Sequence, residues 1–125
     1  MSIKDTYTKT CFNKILKANC VYDVANITPV QPAPKISSKF NNNFVIKRED
    51  LQPVFSFKLR GAYNKISNLK NVKYIVAASA GNHAQGVALS CSKLNIPSLI
   101  VMPQTTPTIK IDAVKKYGSK VILFG

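Results

Sequence analysis

The 125-residue sequence predicts an α/β fold, an open and mostly parallel sheet with helices on both faces. Two observations carry that expectation. From Tyr74 onward, three short apolar runs (Tyr74-Ile-Val-Ala-Ala78, Ser98-Leu-Ile-Val-Met102 and Val121 to Phe124) are separated by helical patterns. Strands without alternation are covered on both sides, and strands joined through helices run parallel, so the pattern is a βαβαβ unit. A hydrophobic content of 46% in a chain of ordinary domain size is enough for a core, which argues against disorder.

Each element has its own signal. Thr8 to Ala18 place Phe12, Ile15 and Leu16 on one face with lysines opposite, the pattern of an amphipathic packing helix. Val21 to Gln31 reads as an irregular or extended lead broken at Pro29. Pro32 and Pro34 then hold the chain open until a helical turn around Ile36 to Phe40, and Asn41-Asn-Asn43 is a turn. Phe44-Val-Ile-Lys47 is a strand that delivers the chain to a polar turn with Glu49 and Asp50. Ser56 is placed to cap a helix from Phe57 to Ser67. Asn82 to Lys93 and Pro107 to Tyr117 follow as helices, the second with proline at its start. The closing run Lys120-Val-Ile-Leu-Phe-Gly125 reads as a buried strand reaching its end, so the chain is expected to be the amino-terminal piece of a longer domain.

The formal net charge of +13 would ordinarily point to nucleic acid or an anionic membrane. Composition weakens that signal, and a non-catalytic basic nucleic-acid-binding module stays as an alternative. Sixteen of the eighteen basic residues are lysine, they are scattered, and only Arg48 and Arg60 offer the planar guanidinium that phosphate recognition favours. No apolar run is long enough to span a bilayer, and no signal-peptide core is seen. Cys11, Cys20 and Cys91 are an odd number without metal-ligand or redox spacing, which fits a reducing cytoplasmic setting with no metal.

Chemistry concentrates in two stretches. In Lys47-Arg-Glu-Asp-Leu-Gln-Pro-Val-Phe-Ser-Phe-Lys-Leu-Arg-Gly-Ala62, a lysine follows an aromatic pair and opens a small-residue helix. A lysine that attacks a cofactor aldehyde must be neutral part of the time, and apolar neighbours at the positive end of a helix favour that form. Lys58 is therefore read as a Schiff-base lysine, with Phe55 and Phe57 as its apolar neighbours. Gly61 and Ala62 share its face and leave room for a flat ring.

The second stretch, Ser79-Ala-Gly-Asn-His-Ala-Gln-Gly86, runs from a strand end into a helix start and presents unpaired N–H groups to a carboxylate or phosphate. Gly81 and Gly86 have the outer spacing of a nucleotide-phosphate loop, but Val87 and Ala88 stand where that motif needs Lys and Ser or Thr. Asn82 is either a helix cap or a neutral hydrogen-bond partner for a ring oxygen. His83, the only histidine, lacks a nucleophile and an orienting carboxylate, so spacing gives it no catalytic role. Cys91 falls among Ala88, Leu89 and Leu94 and reads as core.

The two stretches, with Ile100-Val-Met-Pro103 and Ile109-Lys-Ile-Asp-Ala-Val114, resemble the biosynthetic threonine dehydratases, which are tryptophan-synthase-β-like, fold-type II pyridoxal phosphate enzymes. Weaker likeness reaches back to Tyr22-Asp-Val-Ala25 and Thr28-Pro-Val-Gln31. The resemblance implies pyridoxal 5'-phosphate bound through Lys58, Phe57 packed beside it and Asn82 on its ring oxygen. Ser79, Ala80, Gly81, Asn82 and His83 would wrap the substrate carboxylate. It implies dehydration and deamination of L-threonine, or of L-serine, as the first step of isoleucine biosynthesis in a cytoplasmic homotetramer. Residues 1–125 would be the amino-terminal part of the catalytic domain. A phosphate cup, a partner for the pyridine nitrogen and a regulatory domain would lie after Gly125, leaving the piece alone inactive. Leu59 and the Ser79-Ala-Gly-Asn82 loop are unlike the cysteine-synthase branch, and Ala80 stands where the serine racemases carry serine. The run from Glu49 to Phe57 and the amino-terminal lead favour the biosynthetic over the catabolic dehydratases.

Overall fold

Three parallel strands form the centre of the molecule, in a computed structural model that describes residues 3–16, 18 and 21–125, residues 3–6 in backbone alone. β1 (Val30–Pro32), α2 (Pro34–Phe40) and β2 (Val45–Lys47) follow a first helix, α1 (Ile3–Leu16). After a short 3-10 turn at Glu49–Leu51 come α3 (Lys58–Ser67), β3 (Ile75–Ala78), α4 (Asn82–Lys93), β4 (Ser98–Met102), α5 (Thr108–Lys115) and β5 (Lys120–Leu123). The central sheet has the order β3-β4-β5 and is parallel throughout, with Ile75 opposite Ser98 and Leu99 opposite Lys120. The open parallel sheet and its helical crossovers are as the sequence predicts. α4 and β4 have the expected bounds, and apart from the start of α1 the other ends lie within two residues of expectation.

Within the described residues the helical cover lies on one face of the sheet. α4 and α5 pack on that face and α3 packs against α4, with Ala62, Ile66, Val87, Cys91, Ile100 and Val114 in the core between them. The strand order advances in one direction, and parallel crossovers are right-handed, so both connecting helices fall on the same side. On the opposite face Val76 and Ile122 remain 62% and 50% exposed. Strand β4, at the centre, buries Ser98, Ile100 and Met102 and leaves Leu99 and Val101 half-buried.

The lead before the lysine helix is more ordered than its prolines suggest. β1 pairs antiparallel with β2, Val30 opposite Lys47. The Arg48 N–H donates to the Pro29 carbonyl at 3.0 Å, extending the pairing past the strand end. Pro32 is tolerated because it lies in a two-stranded ribbon with a free edge. The amino-terminal helix starts earlier than expected, at Ile3, and its apolar residues Phe12, Ile15 and Leu16 are exposed, so among the described residues its packing face has no partner. Lys17 and Cys20 lie outside the described residues.

Candidate active site

Lys58 opens α3, and the stretch before it explains why it stands where it does. From Gln52 to Phe57 burial alternates: Gln52, Val54 and Ser56 are buried, while Pro53, Phe55 and Phe57 face out. The segment is a run of turns, with the Phe55 N–H on the Gln52 carbonyl at 2.8 Å and a left-handed backbone at Phe55, and the anchoring of Gln52, Val54 and Ser56 leaves the two rings on the outer side. Phe55 and Phe57 are 75% and 63% exposed, and Lys58 is exposed too. The expectation that these two rings dry the lysine is therefore corrected. Helix α3 begins at Lys58 rather than Phe57, and the Ser56 hydroxyl accepts the Lys58 N–H at 3.2 Å, so Ser56 does satisfy a free donor at the helix start.

The stretch is tied down at several points. Val54 and Leu59, both without exposed surface, pack with Ala25. The Tyr117 hydroxyl donates to the Pro53 carbonyl at 3.2 Å. Gln52 spans the backbone of Asn26, accepting its N–H at 2.8 Å and donating to its carbonyl at 2.9 Å. Glu49 takes a two-pronged ion pair from Arg60, 2.8 Å from Nε and 2.9 Å from the terminal nitrogen, and a hydrogen bond from the Thr28 hydroxyl at 2.6 Å. The Arg60 bond, helped by Thr28 and Gln52, outweighs the opposing effect of burial and draws the Glu49 carboxyl down to about 2. Phe55 holds φ at 54°, a left-handed backbone that costs a bulky residue about 1–2 kcal/mol. Such strain persists only where the surroundings hold it.

The second stretch meets Lys58 because α3 and α4 pack closely. A side chain at Gly86 would put its Cβ 3.3 Å from the Leu59 backbone and 3.4 Å from the Lys58 carbonyl carbon. Gly86 is thus a packing glycine, which agrees with the sequence-level rejection of a nucleotide loop. Gly81, not Asn82, occupies the N-cap position of α4, and no side chain caps that helix. The Ser79 hydroxyl instead accepts the Gly81 N–H at 3.3 Å and shapes the loop.

Between the helices and β3 lies a cleft of about 650 Å³ lined by residues that include Phe57, Lys58, Gly61, Ala62, Ser79 and His83. That volume suits a cofactor-sized ligand. Four of the residues singled out in the sequence, Phe57, Lys58, Ser79 and His83, meet at this one cleft. Ala80 lines a neighbouring hollow of about 340 Å³ with Ser79, Met102 and Phe124. Gly81 and Asn82, at the start of α4, are absent from the lining of both. Cys91 is buried, as expected, and desolvation pushes its thiol up from the usual value.

The residues present fit pyridoxal phosphate. A primary amine, a hydroxyl and an imidazole share a largely apolar cleft, and a Cβ at Gly61 would meet nothing within 4 Å, leaving open space beside Lys58 for a flat ring. Among the described residues no three His, Cys, Asp or Glu side chains gather to hold a metal ion, and no helix is long and apolar enough to cross a membrane. The two arginines of the sequence are both held by carboxylates of the same chain, Arg48 by Asp50 at 2.7 Å and Arg60 by Glu49.

Sequence reasoning passed over the Glu49–Arg60 pair and the Thr28 and Gln52 side chains that complete it. One signal was available, since Glu49 is one of five carboxylates among eighteen bases and Arg60 one of two arginines.

Comparison with known proteins identifies the family. The chain is 55% identical over 117 residues to the biosynthetic L-threonine dehydratase of Haemophilus influenzae, covering 90% of this chain and 23% of that protein. The processed form of threonine deaminase isoform 2 from Solanum lycopersicum superposes with a TM-score of 0.84 at 51% identity, over all of this chain and 34% of the other. Maize serine racemase gives 0.76 at 35% identity, over 82% of this chain and 32% of that one. The chain thus spans about a quarter of the length of the curated relative it matches. A family model described as pyridoxal-phosphate dependent enzyme matches residues 21–125, from the lead that anchors Gln52 to the end of β5, and the chain belongs to that family.

Proposed function

We propose that the intact protein of which these residues form part converts L-threonine to 2-oxobutanoate and ammonia. Residues 1–125 are its share of the catalytic domain, with pyridoxal 5'-phosphate held at Lys58. The observation that carries this is the cleft that Lys58, at the first turn of α3, lines together with Gly61, Ala62, Ser79 and His83. Bound there, the cofactor supplies an electron sink that lets a proton leave the substrate's Cα.

The chain's own groups then have separate tasks. Lys58 Nζ, when neutral, accepts the Cα proton and later returns one. The Ser79 hydroxyl, which also accepts the Gly81 N–H, and the backbone N–H groups of the Ala80–His83 loop would hold the substrate carboxylate at the start of α4. The family resemblance, rather than the cleft lining, supports Asn82 as the amide that would reach the ring oxygen of the cofactor without adding charge. Phe57, on the cleft wall, packs against the ring. The β-hydroxyl leaves as water, and the unsaturated amine that remains takes water back and releases ammonia, so nitrogen leaves last.

The identity to biosynthetic dehydratases supports threonine over other amino acids and a place at the start of isoleucine synthesis. Ala80 presents no hydroxyl on its side of the loop, which favours elimination over racemisation. A cytoplasmic homotetramer is the proposed setting, with no nucleic acid or membrane partner.

The test is borohydride reduction of the intact protein with pyridoxal phosphate, followed by peptide mapping. A pyridoxyl group on the peptide containing Lys58, its loss in Lys58→Ala, and 2-oxobutanoate formed from threonine are expected. An adduct on another side chain, or none, defeats the proposal.

A further inference from the structure

Lys58 is exposed, and among the described residues its side chain is not enclosed by the rings beside it, so the position of its amine depends on how firmly its backbone is held. Arg60 sits in the same helical turn, two residues on, and grips Glu49 across the stretch that leads into the helix. The pair is two-pronged, which fixes the orientation of the guanidinium plane as well as its distance. Its side chains are 25% and 16% exposed, and further hydrogen bonds run from Arg60 to the Asn26 carbonyl and from Thr28 and Gln52 to Glu49. The Arg60 guanidinium also lies 5.5 Å from the centre of the Tyr22 ring. Three separate segments, 22–28, 49–52 and the first turn of α3, therefore converge on one ion pair. Between its two halves the backbone carries a left-handed Phe55, a conformation a free loop would relax.

We infer that the Glu49–Arg60 pair is a positioning clasp: by closing residues 49–60 onto the 22–28 segment, it sets where the Lys58 amine stands in the cleft. The inference rests on the cofactor reading of that cleft. It adds that two groups outside the cleft lining decide how much of the protein is competent to take the cofactor. Opening the clasp lets the first turn of α3 and the Phe55 backbone sample relaxed positions, and affinity for the cofactor falls by the fraction of time so spent.

The experiment uses the intact protein and its Glu49→Gln, Arg60→Gln and doubly substituted forms. Two quantities are measured: the dissociation constant for pyridoxal phosphate, and hydrogen exchange of the cofactor-free protein. If the competent fraction falls to roughly a tenth, each single substitution weakens binding about tenfold. The double substitution is expected to cost no more than one single, since either change opens the same clasp. Exchange should rise at amides 54–60 and stay unchanged in α4 and β4. Thr28→Val removes one hydrogen bond to Glu49 and leaves the ion pair. It gives a smaller rise at the same amides and carries the test should the charge variants not fold. Unchanged affinity with unchanged exchange, additive losses, or protection lost evenly across the protein would overturn the clasp. A wild-type protein that takes no pyridoxal phosphate at Lys58 defeats the function instead, and exchange at residues 54–60 still decides the clasp.

Discussion

Replacing Gly86 by alanine tests the contact that brings the two chemical stretches together. Helix propensity favours the change by about 1 kcal/mol, because glycine in a helix interior sacrifices more backbone entropy than alanine. Packing opposes it. The new Cβ would lie 3.3 Å from both the Leu59 Cα and N, inside the roughly 3.5–4.0 Å at which carbon atoms attract. What it meets is backbone, and Leu59 has no exposed surface and no open direction in which to retreat. Overpacking of this kind costs about 1–3 kcal/mol, so the expected net loss is about 1 kcal/mol. Gly86→Val adds two γ-carbons at the same crossing and loses more. Denaturant unfolding of the intact protein measures both. The threonine KM should rise as well, since α4 carries the Ser79–His83 loop away from Lys58 when it moves. A Gly86→Ala protein as stable as wild type, or more so, would refute the argument that close approach rather than propensity decides this position.

Two further outcomes follow from the electrostatics. Glu49 has a folded value of about 2 against an ordinary 4.5, so its stabilisation is complete above pH 4.5 and is lost as the pH falls from there through 2. With a side chain only 16% exposed, that contribution is about 2 kcal/mol. Unfolding free energies of wild type and Glu49→Gln should converge as the pH falls across this window, and a constant gap would contradict the assignment. Cys91 is 1% exposed with its thiol pushed up by burial, whereas Cys11 is partly exposed. A thiol reagent under native conditions should label Cys11 and spare Cys91 until denaturant is added, and rapid native labelling of Cys91 would show that the core opens there.

Much of the fold was legible because it is written in local pattern. Unbroken apolar runs at β3, β4 and β5, joined by helical spacing, identify a parallel sheet without reference to any distant residue. That Lys58, Ser79 and His83 belong to one cleft was legible for a related reason. Each sits at a junction between elements, where residue type reports local chemistry: small residues beside a lysine, or a polar loop at a helix start. The pairing of β1 with β2 was hidden, because Val30–Pro32 is short and proline-rich and becomes a strand only when Val45–Lys47 supplies its partner.

The sequence by itself determined the class of fold and the family to which its motifs belong. Tertiary structure decided which way side chains face and what holds the lysine. Alternating burial from Gln52 to Phe57 turned the phenylalanine rings outward, and an ion pair between residues 49 and 60 closed the stretch around Lys58. Orientation and long-range pairing depend on groups far apart in the chain meeting in a register that no local window contains, whereas periodicity and residue chemistry are carried within a few neighbours.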